Sequence, residues 1–165
     1  MNRIYKTITT IGFVALMCTT LAFTSSNNTH VTYKCIVQLT NYSGEGAYIA
    51  VSLINPDGAY EKTLYMFGDD EEWYPDFKEW WPFFNAKKEN IDAITGESII
   101  GGERKIISLK MDSSKIDAGY KLRFETAVED KEYYSNDAEV VFSSESIKNK
   151  VAGNGYIRYI RMIPN

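Results

Sequence analysis

The chain has 165 residues, with 18 basic and 22 acidic side chains, a net charge of −4, and 14% aromatic residues. An acidic chain without a basic cluster is a poor partner for nucleic acid or for anionic membrane surfaces. A lone histidine, His30, with no Gly-x-Ser-x-Gly elbow argues against a Ser-His-Asp hydrolase, and without companion ligands it argues against a metal centre.

The N-terminus places Arg3 and Lys6 before an apolar run from Ile11 to Phe23, followed by the polar Thr24-Ser25-Ser26-Asn27-Asn28. That run is too short for a membrane span of about 20 residues and has the basic-then-apolar order of a secretory signal. Residues 1–26 are therefore read as a signal peptide and residues 27–165 as one exported domain. Loss of Arg3 and Lys6 takes the net charge from −4 to −6. Lipid attachment at Cys18 is the less favoured reading, because Met17 is bulky where a small residue normally precedes an acylated cysteine. With Cys18 in the signal, Cys35 is left without a partner for an internal disulfide.

From Val31 to Thr40 apolar and polar residues alternate, which is the period of a half-buried strand. Cys35 shares the apolar face with Val31, Tyr33, Val37 and Leu39, so it reads as a small buried hydrophobe. After turn residues Asn41 to Gly46, Ala47 to Ile54 is apolar on both faces, as in a central strand. Asn55-Pro56-Asp57-Gly58 then predicts a tight turn into a third strand, Tyr60 to Phe67.

Between Trp73 and Asn85 the period changes: Trp73, Phe77, Trp80, Trp81 and Phe84 recur at helical spacing, with Pro75 and Asp76 suited to a first turn. Pro82 predicts a break, with one helical piece before it and a second short turn beginning there. The preceding Asp69-Asp70-Glu71-Glu72 lacks the spacing of a calcium loop and reads as a solvated turn. The Trp and Tyr residues of this insert fit three roles equally: core, a sugar-binding platform, or a wall for a flavin.

Lys88 to Arg104 fits neither strand nor helix, yet Ile91, Ile94, Ile99 and Ile100 predict that it docks on the domain. Long loops in compact domains are usually functional or disordered. It carries Asp92, Thr95, Gly96 and Ser98 as Asp-x-x-Thr-Gly-x-Ser; Gly96 suggests a bend at positive φ that holds the Ser98 hydroxyl outward. Strands are predicted at Lys105 to Met111, Tyr120 to Val128, Glu139 to Ser143 and Gly155 to Ile163. Seven short strands with one inserted helix make an all-β, immunoglobulin-like antiparallel β-sandwich.

Tyr48-Ile49-Ala50-Val51, Asn55-Pro56-Asp57-Gly58, Lys62-Thr63-Leu64, Trp73-Tyr74-Pro75-Asp76-Phe77 with Trp80-Trp81, and Asp92-Ala93-Ile94-Thr95-Gly96 together resemble the predicted periplasmic family called domain of unknown function 2271. The resemblance implies an immunoglobulin-like module associated with flavin transferases and membrane redox proteins. The loop resembles the acceptor motif Asp-x-x-[Ser/Thr]-Gly-Ala-[Ser/Thr] of such a transferase, which implies FMN joined through its phosphate to Ser98, with Asp92, Thr95 and Gly96 as recognition positions. Glu97 stands in place of the usual alanine, and Glu129-Asp130-Lys131 where Glu-His-Gly is expected.

The implied protein is a periplasmic flavin-carrying electron-transfer protein, a carrier and not a stand-alone enzyme, with Trp80 or Trp81 nearest in sequence to stack on the ring. The competing expectation is a non-enzymatic binding or structural module that uses its Trp and Tyr residues for a sugar or protein partner.

Overall fold

Alternation along the first strand sets the register of one sheet and, through it, one wall of the core. In the computed structural model, which describes residues 30–165, β1 (His30–Leu39) lies between β5 (Arg104–Asp112) and β9 (Ile157–Pro164). The expected signal peptide and Cys18 lie outside the described residues. Cys35 is opposite Ile107 on one side and Met162 on the other, and Val37 is opposite Ile160. The short β8 (Lys150–Ala152) extends this sheet beyond β9. The apolar residues of its inner face therefore stand in one layer.

The second sheet runs in the order β4 (Thr95–Gly96), β3 (Tyr60–Phe67), β2 (Tyr48–Ile54), β6 (Lys121–Ala127) and β7 (Tyr134–Val141). Val51 opposite Phe124 and Leu53 opposite Leu122 face the first sheet, and the two walls close a core that includes Tyr33, Leu39, Leu109, Phe142 and Ile160. β1 pairs with β5 in one sheet and β2 with β6 in the other, flanked by β3 and β7. That is the pairing of an immunoglobulin-like sandwich. The C-terminal β9 takes the place beside β1 that a first strand occupies in that fold. Cys35 is fully buried in the core, and burial pushes its thiol up to about 12, which leaves it an inert apolar group.

The sequence left three features of this architecture unread. β7 begins at Tyr134 instead of Glu139, because Asp137 is buried by hydrogen bonds and not by apolar character. Its carboxylate accepts the Thr126 hydroxyl at 2.7 Å and the backbone N–H groups of Asn154, Gly155 and Ile157 at 2.8–3.0 Å. β4 and β8 are only two and three residues long, below the length at which a period shows, and β4 runs parallel to β3. The helix also differs. A 3-10 turn covers Glu71–Asp76, and α1 (Trp80–Lys87) runs through Pro82, which sits in its first turn, where no helix carbonyl awaits an N–H.

The two helical pieces pack on the outer face of the five-stranded sheet. Tyr74, Phe77 and Trp80 join Ala50, Met66 and Ala127 there in a second core, together with Ile91. This layer explains why β2 is buried on both faces and why β6 loses its alternation from Phe124 onward.

Candidate functional site

The segment after the insert is fastened to the domain residue by residue. Asp92 opens a one-turn 3-10 helix and donates its N–H to the Asn90 side chain at 3.1 Å; the Thr95 hydroxyl donates back to the Ile91 carbonyl at 2.8 Å. Gly96 lies in β4, opposite Phe67, and its carbonyl accepts the Gly68 N–H at 2.6 Å. Gly96 is not at positive φ, contrary to the expected bend. It is glycine because of close approach: a Cβ there would stand 2.4 Å from the Tyr65 hydroxyl oxygen.

Beyond Glu97 the chain forms an isolated antiparallel bridge, Ile99 to Ala47, through hydrogen bonds of 2.7 and 3.0 Å. Ile99 is fully buried in the sandwich core, and its carbonyl also accepts the Tyr42 hydroxyl at 3.0 Å. Since neighbouring side chains on extended backbone point to opposite faces, anchoring Ile99 inward turns Ser98 outward. The Ser98 hydroxyl rests on Gly46, where a Cβ would come within 2.4 Å of Oγ. It makes no hydrogen bond to any described residue.

Ser98 opens onto a pocket of about 190 Å³ whose walls include Tyr48 from the start of β2, Trp73 from the 3-10 turn, and Ala127 and Val128 from the end of β6. Glu45, Asp76 and Glu129 add three carboxylates to the rim. Glu97, the residue in the place of alanine, has a side chain 88% exposed, 3.9 Å from Lys105, and does not line this pocket. Lys131 brings a cation to the adjoining turn: its Nζ lies 3.6 Å from where a Gly44 Cβ would be. Burial, then the charge of Asp70, raises the Tyr48 hydroxyl above its ordinary value, so it remains a neutral donor.

The six residues expected to form one site fall into three places. Asp92, Thr95 and Gly96 line a groove of their own with Asp69, Glu71 and Tyr74. Ser98 faces the pocket with Trp73. Trp80 and Trp81 line neither: Trp80 is fully buried, donates its indole N–H to the Thr63 hydroxyl at 3.0 Å and stacks on Phe84, while Trp81 is half-buried against Phe84. Tyr48 and Trp73 are the aromatic neighbours that sequence distance concealed. Trp73 lies far from Ser98 along the chain and is brought to it by the covering of the outer sheet face.

A second polar cluster lies under the insert. Glu125 is fully buried on β6 and accepts the hydroxyls of Tyr60 and Tyr133, while Tyr133 in turn accepts the Glu79 N–H at 3.1 Å. Burial raises the Glu125 carboxyl, opposed by the two hydroxyls, by Arg123 and by the Trp80 N–H. The alternation of β6 assigns this residue to solvent; the insert instead closes over it. The Glu79 N–H ties the insert to this cluster through Tyr133, so the cluster reads as a fastening.

The chain matches, over residues 30–159, the family described as predicted periplasmic protein (DUF2271). No curated protein and no solved structure matches it. The matched stretch takes in the Trp73 turn, α1 and the Ser98 segment and runs into β9, and the chain belongs to this family of predicted periplasmic proteins.

Proposed function

We propose that the domain is an extracytoplasmic flavin carrier in which a flavin transferase esterifies Ser98 with FMN, for electron exchange with a membrane redox protein. The observation that carries this reading is the Ser98 hydroxyl: turned outward by the buried Ile99, seated on Gly46, free of hydrogen bonds to described residues, and placed beside two aromatic rings. In the net reaction the Ser98 O–H bond is replaced by an O–P bond and the protein gains FMN less one water. The transferase supplies a flavin dinucleotide: its pyrophosphate P–O bond breaks as the Ser98 oxygen bonds to the FMN phosphorus, and the other nucleoside monophosphate leaves and takes up the serine proton.

The pocket fits the attached group at its edge. At about 190 Å³ it is smaller than the roughly 300–1,000 Å³ of sites that engulf a ligand, which suits a group held by a covalent tether and only partly enclosed. Its rim is carboxylate-rich, and electrostatics alone would not retain a phosphate there; a covalent ester would. Bound flavin supplies one- and two-electron redox chemistry, while the protein supplies position and charge. Asp92, Thr95 and Gly96 are the positions the transferase would read, and their lining of a groove separate from the Ser98 pocket supports recognition that does not obstruct the hydroxyl.

The test is co-expression with an active transferase, followed by denaturing electrophoresis and peptide mapping. Flavin fluorescence that survives denaturation and maps to the Ser98 peptide is expected. Absence of label, with a control acceptor modified in the same cells, would sink the proposal.

One observation favours a second reading. Tyr48 and Trp73 beside Glu45, Asp76 and Glu129 pair stacking faces with hydrogen-bond acceptors, which is what a neutral sugar requires. A binding module of that kind would show saturable tryptophan emission changes with neutral oligosaccharides and none with flavin.

A further inference from the structure

Resting on the flavin reading, the structure also indicates where the tethered ring lies. The insert is crowded with aromatic residues, and nearly all of them pair with one another. Tyr74, Phe77 and Trp80 meet edge to face, Phe84 stacks on Trp80 and touches Trp81, and Phe83 stacks on Tyr60. Trp73 is the exception. Among the described residues it has no ring partner and no indole hydrogen bond, and it belongs to neither core. An indole is large and apolar, and this one is only partly buried, with part of its face left open to the pocket.

Its backbone is nevertheless well fixed. The 3-10 turn that carries Trp73 is capped by the Asp70 side chain, contains Pro75, and is tied to Gly68 by the buried Tyr74 hydroxyl at 3.1 Å. Tyr48 is fixed as well: its ring lies over Gly68, whose φ of +105° and a Cβ position only 2.0 Å from the ring admit no side chain. A held but unpartnered indole beside a free serine hydroxyl is a surface prepared for a planar group. The groove also continues past Trp73, since Trp73, Asp76 and Glu129 line a second pocket that reaches Lys78 and Lys131. Trp73 thus lines both the pocket that Ser98 faces and its continuation.

We propose that Trp73, with Tyr48 beside it, is the stacking seat for the isoalloxazine ring carried on Ser98. Stacking on an electron-rich indole quenches flavin emission, and a ring held in one chiral setting acquires visible circular dichroism.

The experiment compares FMN-modified wild type with Trp73→Ala, Trp73→Phe and Trp81→Ala, each shown by mass to carry one FMN. Trp73→Ala is expected to raise flavin emission severalfold and to lose most of the visible dichroism. Trp73→Phe, which keeps an aromatic ring but donates electrons poorly, serves if the alanine variant folds badly and should also brighten. Trp81→Ala should leave the emission unchanged. Emission indifferent to both Trp73 substitutions, or a rise in Trp81→Ala alone, overturns the seat while leaving Ser98 modification intact. A wild type that never gains FMN overturns the Ser98 reading and the seat together.

Discussion

Trp73 and Trp80 belong to the same short insert, seven residues apart, and the fold treats them in opposite ways. Trp80 is enclosed, with an indole hydrogen bond to Thr63 and aromatic rings on several sides. Trp73 is equally well positioned by its backbone, but among the described residues its ring has no aromatic or hydrogen-bond partner. The first arrangement is what a residue holding the insert on the sheet requires. The second, beside a serine hydroxyl without partners, is what a residue facing a ligand requires. Burial and pairing, more than residue type, distinguish the two tryptophans.

The contrast is sharpest in stability. Trp80→Ala removes a fully buried ring and strands the Thr63 hydroxyl, so a loss of about 3–5 kcal/mol is expected, read as a fall in the urea midpoint. A midpoint close to wild type would mean that the second core does not hold the insert down.

The next largest effect concerns pH and the buried Glu125 beneath the same insert. Its folded-state carboxyl is raised above the ordinary 4.5, so the folded protein binds this proton more tightly than the unfolded chain does. The stabilising contribution is full below about 4.5 and is lost as pH rises through the raised folded value. Glu125→Gln removes that decline: relative to wild type, the variant should fare better at neutral pH than at pH 4, in urea titrations at both. An unchanged difference across that range would contradict the assignment.

The smallest effect is at the partly buried Trp73. Trp73→Ala should cost less than about 1 kcal/mol, because the ring contributes to neither core. A cost comparable to that of Trp80→Ala would make Trp73 scaffold and remove the distinction between the two.

Much of the sandwich was legible from period alone. Val31, Tyr33, Cys35, Val37 and Leu39 alternate because one sheet face meets a core, and that pattern survives in the fold. What failed to show was whatever depends on a second layer or on polar burial. Glu125 alternates like a surface residue until the insert covers it, and Asp137 is held by four hydrogen bonds that no hydropathy pattern marks. The docking of the Ser98 segment could be recognised from Ile91 and Ile99, which are buried, and from the partly buried Ile94, whereas Ile100, expected to dock with them, is 57% exposed. The aromatic neighbour of Ser98 could not: proximity in sequence pointed to Trp80 and Trp81, and packing brings Trp73 and Tyr48 instead. Pro82 was misread because a proline breaks a helix interior but not a first turn.

The central claim is that Ser98 is an acceptor hydroxyl, and intact mass tests it most directly. Wild type, Ser98→Ala and Ser98→Thr are produced with an active flavin transferase and weighed after denaturation. The account predicts that wild type gains one FMN less one water, that Ser98→Thr retains a measurable fraction of this addition, and that Ser98→Ala gains nothing while its stability in urea titrations stays within about 0.5 kcal/mol of wild type. An unmodified wild type beside a modified control acceptor, or a Ser98→Ala protein that still carries the full addition, would contradict it.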